Sequence, residues 1–305
     1  GRIKYNMGGS DMKVQVRSSD SQIGGSTTTW GTSGGSTTQT FTEMTYSWRQ
    51  YKYLPFINDF QTQLNENASS KAKLFEMAKV QIEEVEQSAS IRMNTHAYGD
   101  GTTLSTGDET GSTPIDGFES IIDDDNTYAG LARSGNTYWQ GQIISSTNPS
   151  QDDNNNDLTN LYEAMMQCFT ACSKGRGAQG LSLANEVASQ FDEPEDILTT
   201  ETLYRTYWAS LQPFERYAPG QAMGPNMTLK FGKCNVDWDQ YCTASRVYFI
   251  NWKHLQLWCA GSKLITQHGT IKKSGPVGTE YVLLGQCQLI ATGPRYLGAV
   301  RTTGS

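Results

Sequence analysis

Four oxygen-bearing residues between Asp152 and Glu163 have a spacing that could hold a cation. Asp152, Asn154, Asn156 and Glu163 stand at the first, third, fifth and twelfth positions of a calcium loop, where such side chains converge on a hard ion. Asp157 occupies the sixth position, which must turn sharply and normally takes glycine, and no helical pattern precedes the loop. Asp157 serves better as the N-cap of a following helix, so the stretch reads as a solvated polar loop. Asp123, Asp124 and Asp125 have no Cys, His or Lys partner at an assignable spacing and read as a solvated turn rather than as acid–base carboxylates. Cys168 and Cys172, four apart on a predicted helix, could form half of a zinc site. The other cysteines, Cys234, Cys242, Cys259 and Cys287, and the scattered histidines His96, His254 and His268 supply no second half. Gly175-Arg176-Gly177-Ala178-Gln179-Gly180 has dinucleotide-type glycine spacing, but a helix precedes it where that fingerprint needs a strand. With no nucleophile elbow, phosphate loop or ordered triad, the sequence predicts no enzyme, cofactor or metal site.

Stepping from chemistry to the elements that carry it, one segment dominates. From Ala68 to Ala97, the apolar residues Leu74, Ala78, Ile82, Val85, Ala89 and Met93 recur at intervals of three or four, the stripe of an α-helix. Lys71, Lys73, Glu76, Lys79, Glu83, Glu84 and Glu86 fill the opposite face. At 1.5 Å per residue this helix is roughly 45 Å long. Asn67, Ser69 or Ser70 can cap it, and Tyr98-Gly99-Asp100-Gly101 stops it.

Ahead of the helix, Met12, Val14 and Val16 alternate with polar residues as in a half-exposed strand. Between Ser18 and Thr40, 18 of 23 residues are Gly, Ser or Thr, a composition that reads as a flexible tip. From Phe41 to Ile57 the strand pattern returns. Met44, Tyr46 and Trp48 share one face, then Tyr51 and Tyr53 take the opposite phase, which predicts a bulge or bend. These segments form a two-stranded arm whose aromatic residues need a surface to lie on, either another subunit or the chain's own domain.

Thr102 to Asp116 is a polar loop. Asp157 opens a second helix with Leu158, Leu161, Met165, Cys168, Phe169 and Cys172 on its buried stripe. A short buried strand, Glu195 to Thr200, precedes a helix carrying Leu203, Tyr204, Tyr207, Trp208 and Leu211. Leu229 to Val236, Arg246 to Ile250, Leu255 to Cys259, Tyr281 to Ile290 and Tyr296 to Val300 read as strands. Without a regular βαβ rhythm, the fold class is α+β.

The hydrophobic fraction of 36% and charged fraction of 18% fit a loop-rich, β-rich chain better than a helical bundle. A net charge of -7 argues against a protein that grips nucleic acid by neutralising phosphates. No apolar run is long enough to span a bilayer, no secretory leader pattern opens the sequence, and the dispersed cysteines suit free buried thiols in a reducing compartment.

The order of these pieces resembles the major capsid proteins of tailed bacteriophages, with the HK97-like fold. The matching pieces are the arm ending in Phe41 to Ile57, the long helix, Gly117-Phe118-Glu119-Ser120-Ile121-Ile122, and Asn126-Thr127-Tyr128-Ala129-Gly130-Leu131-Ala132-Arg133 leading to Trp139. Pro194 to Thr200 with Tyr204 and Tyr207 is similar to their strand-then-helix unit. Phe231-Gly232-Lys233-Cys234-Asn235-Val236-Asp237 with Tyr248-Phe249-Ile250-Asn251 resembles a later strand, turn and strand, although Lys233-Cys234 stands where proline usually follows the glycine.

The resemblance implies an N-terminal arm and extended loop (1–57), a peripheral domain with the spine helix (58–117), an axial α+β domain (118–258) and return strands of the peripheral domain (259–305). It implies a self-assembling subunit of hexamers and pentamers in an icosahedral virion capsid, assembled in the host cytoplasm. The capsid would enclose double-stranded DNA without sequence-specific contact. Scaffolding, portal and cementing proteins are expected as partners, and a membrane is not. Trp30, Phe41, Tyr46, Trp48, Tyr51 and Tyr53 of the arm, with Glu83 and Glu84 of the helix, are the expected inter-subunit contacts. The rival class is a secreted or surface-displayed β-rich binding module.

Overall fold

The computed structural model describes residues 3–9, 11–17, 41–58, 72–105, 108–146, 157–173, 192–215, 229–272 and 278–302. In chain order the elements begin with β1 (Ile3–Lys4), β2 (Asp11–Arg17), β3 (Phe41–Ser47), β4 (Arg49–Tyr53), β5 (Phe56–Asn58) and helix α1 (Ala72–Tyr98). There follow α2 (Phe118–Ile121), β6 (Thr127–Tyr128), β7 (Leu131–Ala132), β8 (Gln142–Ser146), α3 (Asp157–Cys172), β9 (Asp196–Thr199) and α4 (Glu201–Glu215). The chain closes with β10 (Leu229–Phe231), β11 (Cys234–Trp238), β12 (Arg246–Ile250), β13 (Leu255–Cys259), β14 (Thr266–Lys272), β15 (Gly278–Ala291) and β16 (Gly298–Thr302). They fall into two compact units.

The first unit comprises Gly1–Met12, Ser47–Gly117 and Gln256–Leu289. The 27 residues of α1 carry the expected helical period, and the burial of its C-terminal half follows the stripe: Ala89 and Met93 are buried, Ile82 and Val85 partly so. Tyr51, Leu257, Cys259 and Cys287 from the sheet meet Met93, Ile115 and Leu264 in one core. That sheet runs β1-β13-β15-β14, with β4 and β5 also paired to β15. The predicted phase slip is real: β3, whose Met44 and Tyr46 are buried in the second unit, ends at Ser47, and the strand resumes after Trp48 as β4 with Tyr51 buried. Pro55 lacks an amide donor and divides β4 from β5, while its carbonyl still accepts from Tyr281 N at 2.9 Å. At the end of α1, Gly117 packs so tightly on the carbonyls of His96, Ala97 and Gly99 that a Cβ would collide with them.

The second unit comprises Lys13–Tyr46, Phe118–Leu255 and Ile290–Ser305. Its six-stranded sheet has the order β10-β11-β9-β12-β16-β8. β9 lies parallel to β11, and β16 to β8, while the other neighbours are antiparallel. Such mixed pairing is an α+β arrangement. Leu161, Met165, Cys168, Phe169 and Cys172 form the buried stripe of α3 and share a core with Leu203 and Tyr207 of α4. Phe231 sits among the rings of Tyr162, Phe169, Tyr207 and Phe249, with centroids 5.6 to 6.3 Å away. The span Leu229 to Val236 is not one strand: Gly232, at φ +61°, turns it back as the hairpin β10–β11. Tyr296 likewise belongs to a 3-10 turn, and the last strand begins at Gly298.

Candidate functional site

The aromatic residues of the arm fall in different places. Trp30 lies outside the described residues, and Phe41 opens β3. Tyr46 is 2% exposed, its ring edge-on to Tyr128 at 5.6 Å and its hydroxyl donating to Ala291 O at 2.6 Å. Tyr51 is also buried, and both side chains pack within their own units. Trp48 is half-buried and donates its indole N–H to Gly9 O at 2.9 Å. Glu83 and Glu84 stand exposed on α1, with Glu83 only 3.7 Å from Lys79 in a solvent-screened pair.

In the first unit β4 and α1 flank a cavity of about 350 Å³, lined by Trp48, Tyr51, Tyr53, Arg92, His96 and Asp108 among others. A chain of hydrogen bonds crosses it. Ile115 N donates to the Tyr51 hydroxyl at 3.2 Å, Tyr51 meets His96 Nδ1 at 3.0 Å, and His96 Nε2 meets Asp108 Oδ2 at 3.0 Å. Every group is satisfied if Tyr51 donates to Nδ1 and a neutral His96 donates from Nε2. Burial lowers the His96 pKa against the opposing pull of Asp108, which favours that neutral form. Asp108 also accepts from Ser105 N at 2.7 Å and lies 3.5 Å from Arg92, whose guanidinium sits over the Tyr53 ring. Burial pushes the Tyr51 hydroxyl well above its ordinary pKa, away from service as a base. The arrangement pins the loop after α1 to β4; His96, three residues beyond Met93 on the helix, is part of this core rather than a scattered histidine.

A second node folds from the Tyr128 to Trp139 stretch. Ala129 and Gly130 both have positive φ and turn β6 back onto β7. The Trp139 ring stacks on Tyr128 at 5.7 Å, and its N–H donates to Tyr128 O at 3.0 Å. Arg133 is 0% exposed, a burial that a charged side chain reaches only when it is paired. Its guanidinium donates to Ser120 O (2.7 Å), Ile121 O (2.8 Å) and Trp139 O (3.2 Å). Asp123 Oδ2 lies 3.7 Å from Arg133, and Asp123 Oδ1 lies 3.4 Å from Arg301.

Asp123 corrects the reading of its triplet as a wholly solvated turn: it is buried, while Asp124 and Asp125 are exposed. Burial alone would raise its pKa, but bonds from Asn126 and Asp124 N, with Arg133 and Arg301 nearby, hold it below the ordinary carboxylate value. Glu119 continues the pattern, accepting from Arg246 Nε at 2.8 Å and the Tyr248 hydroxyl at 2.7 Å. Spacing gave no signal for Asp123, Glu119 or Asp108, whose partners come from elsewhere in the chain. Arg133 and Glu119 carried one of another kind, as parts of the Asn126 to Arg133 and Gly117 to Ile122 stretches.

All six cysteines are free and buried, and among the described residues no three His, Cys, Asp or Glu side chains converge as a metal site. The acidic loop ahead of Asp157 and the Gly175 to Gly180 stretch lie outside the described residues. Among the described residues no helix is long and apolar enough to cross a membrane.

No protein-family model and no curated protein matches the sequence. The fold matches solved structures over almost its full length. Against the capsid asymmetric unit of cyanophage A-1(L), the TM-score is 0.63 with 14% identity, covering 100% of this chain and 91% of that one. Against the capsid of the native GTA particle it is 0.58 with 10% identity, covering 99% and 89%. Against the satellite phage P4 procapsid, whose structure includes the size determination (Sid) protein, it is 0.52 with 9% identity, covering 99% and 94%. At these identities the likeness speaks for architecture: the chain has the HK97-like α+β fold of phage capsid proteins.

Proposed function

We propose that the chain is a non-enzymatic structural subunit that self-assembles, as hexamers and pentamers, into an icosahedral virion capsid around double-stranded DNA. The observation that carries this reading is the near end-to-end correspondence in fold with solved capsid structures. The buried groups support it. Arg133, Asp123, His96 and Asp108 are engaged in hydrogen bonds and ion pairs that hold one loop to another. A net charge of -7 suits a wall that encloses nucleic acid without adhering to it.

On this reading the first unit corresponds to the peripheral domain, the span from Phe118 corresponds to the axial domain, and assembly takes place in the host cytoplasm. The P4 procapsid includes a size determination protein. By analogy, scaffolding, portal and cementing proteins are the partners to seek for this chain. Negative-stain electron microscopy of the purified protein across assembly conditions tests the proposal. Closed shells are expected; monomers or small oligomers under every condition would overturn it.

A further inference from the structure

β13 and β15 bring two thiols of the first unit, Cys259 and Cys287, face to face. His254 O accepts from Thr292 N at 2.8 Å at one end of this ladder, and Ala260 N donates to Gln286 O at 2.9 Å at the other. The two strands therefore run antiparallel, and counting inward from either end places Cys259 opposite Cys287. Because Ala260 and Gln286 are a hydrogen-bonded pair, the adjoining Cys259–Cys287 pair is a non-hydrogen-bonded one, the position where Cα atoms approach to about 4.5 Å and side chains lie closest. That separation falls within the range of about 4.4–6.8 Å that a disulfide spans. Both side chains are 0% exposed and belong to the core formed with Tyr51, Met93 and Ile115.

The other thiols are placed differently. Cys168, Cys234 and Cys242 each have a backbone carbonyl as hydrogen-bond acceptor, from Gln142, Pro194 and Thr243. Cys172 is the partner of Cys168 on one helix face, where both pack over Gly298. Among the described residues, neither Cys259 nor Cys287 gives its S–H to a carbonyl.

We propose that Cys259 and Cys287 are a covalent modification site: the two thiols form an intrachain disulfide when the protein meets a peroxide-class oxidant. The thiolate of one cysteine attacks hydrogen peroxide, forming a sulfenic acid and, after proton transfer, water. The second thiolate then attacks that sulfur, forming the S–S bond and releasing hydroxide, which is protonated to a second water. Two thiols are oxidised by two electrons and one peroxide is reduced to two waters. The bond ties β13 to β15 and closes the loop that carries β14, so the oxidised chain resists unfolding better than the reduced one. Burial raises Cys259 to about 11 and Cys287 higher, so the reaction is slow near neutrality and faster as the pH is raised. The inference concerns the subunit itself and holds whether or not it assembles.

The test treats the full chain with hydrogen peroxide, unfolds it without reductant, blocks it with N-ethylmaleimide and determines its mass and peptide map. The expected result is a fall from six alkylated thiols per chain to four, with a crosslinked peptide pair containing Cys259 and Cys287 that dithiothreitol separates. The melting temperature should rise on oxidation and return on reduction. Six alkylated thiols, a crosslink mapping to another pair, or sulfinic acid at Cys259 or Cys287 without a crosslink would each overturn the assignment.

Discussion

Asp116 in the first unit and Asp123 in the second are both carboxylates taken largely out of water, yet their acidities move in opposite directions. Asp116 lies 3.3 Å from Arg49 and accepts from the Gln288 side chain at 2.6 Å. Burial outweighs these contacts and raises its pKa. Burial raises the Asp123 pKa too, but Asn126, a backbone N–H and two guanidinium groups favour its charged form and outweigh it. Burial and the donors delivered to a carboxylate together set the cost of its charge. The second unit holds its Tyr128 to Trp139 stretch with matched charges, whereas the first holds its loop through a hydrogen-bonded neutral histidine.

The sharpest way to break this contrast is to remove the cation at the second node. Arg133→Met keeps length and volume but leaves three carbonyls without their donor and Asp123 without one of its two neighbouring cations, which should cost about 3–5 kcal/mol in denaturant unfolding. If the variant unfolds at the wild-type midpoint, the node is decoration rather than a fastener.

Packing makes a smaller but more specific demand nearby. A Cβ at Gly298 would collide with the Sγ atoms of Cys172 and Cys168. Gly298→Ala should therefore cost about 1–3 kcal/mol by overpacking. Adding Cys172→Ala should restore part of the loss, because it removes the nearer sulfur. A double variant no more stable than the single one would show that the cost arises in the backbone of β16, not in the contact.

Acid should find the first unit through His96. Its folded pKa is depressed, so the native state holds it neutral while the unfolded chain takes up a proton below about pH 6.5. The stabilisation is thus present above that pH and is lost as the pH falls below it, with a slope of at most about 1.4 kcal/mol per pH unit. His254 in the second unit is depressed in the same sense by burial, against the pull of Asp192, and contributes its own slope in that window. Asp123 weakens the fold only at lower pH, as the pH drops through the carboxylate range. His96→Gln should flatten the loss between about pH 7 and pH 5.5 relative to wild type, and His254→Gln should flatten the remainder. An unchanged profile in both variants would place the acid sensitivity elsewhere.

How far the sequence foretold these arrangements depended on whether a period was present. The stripe ending in Ala89 and Met93 announced α1, and apolar runs marked β12 and β13 as Arg246–Ile250 and Leu255–Cys259, the bounds observed. β14 passed unnoticed because Gln267 to Ile271 are exposed throughout, so no alternation records which way the strand faces. Asp123 was misread for a different reason: Arg301, one of its partners, is 178 residues away, and spacing cannot register a contact that only the tertiary fold creates. His96 was legible in principle, since it continues the buried face of α1, but a polar residue in an apolar stripe carries no mark of its partners. The order of weak pieces pointed to the fold better than any residue pointed to its own role.

The last contrast is between two faces of α1. Ala89, Met93 and His96 are spent on the core, whereas Val80 and Ile91 are 50% and 49% exposed and Glu83 and Glu84 face solvent. A surface of that kind contributes little to folding, so reversing both charges with Glu83→Lys and Glu84→Lys should move the subunit's unfolding free energy by no more than about 0.5 kcal/mol. If the ridge meets neighbouring subunits, the same change places like or unmatched charges at every copy of the contact, and repetition across a shell multiplies a small pairwise penalty. Shell yield, measured by sedimentation and electron microscopy, should then fall while the melting curve stays put. A stable subunit that still forms shells at the wild-type yield would remove this ridge from the interface and leave the arm as the surface to test.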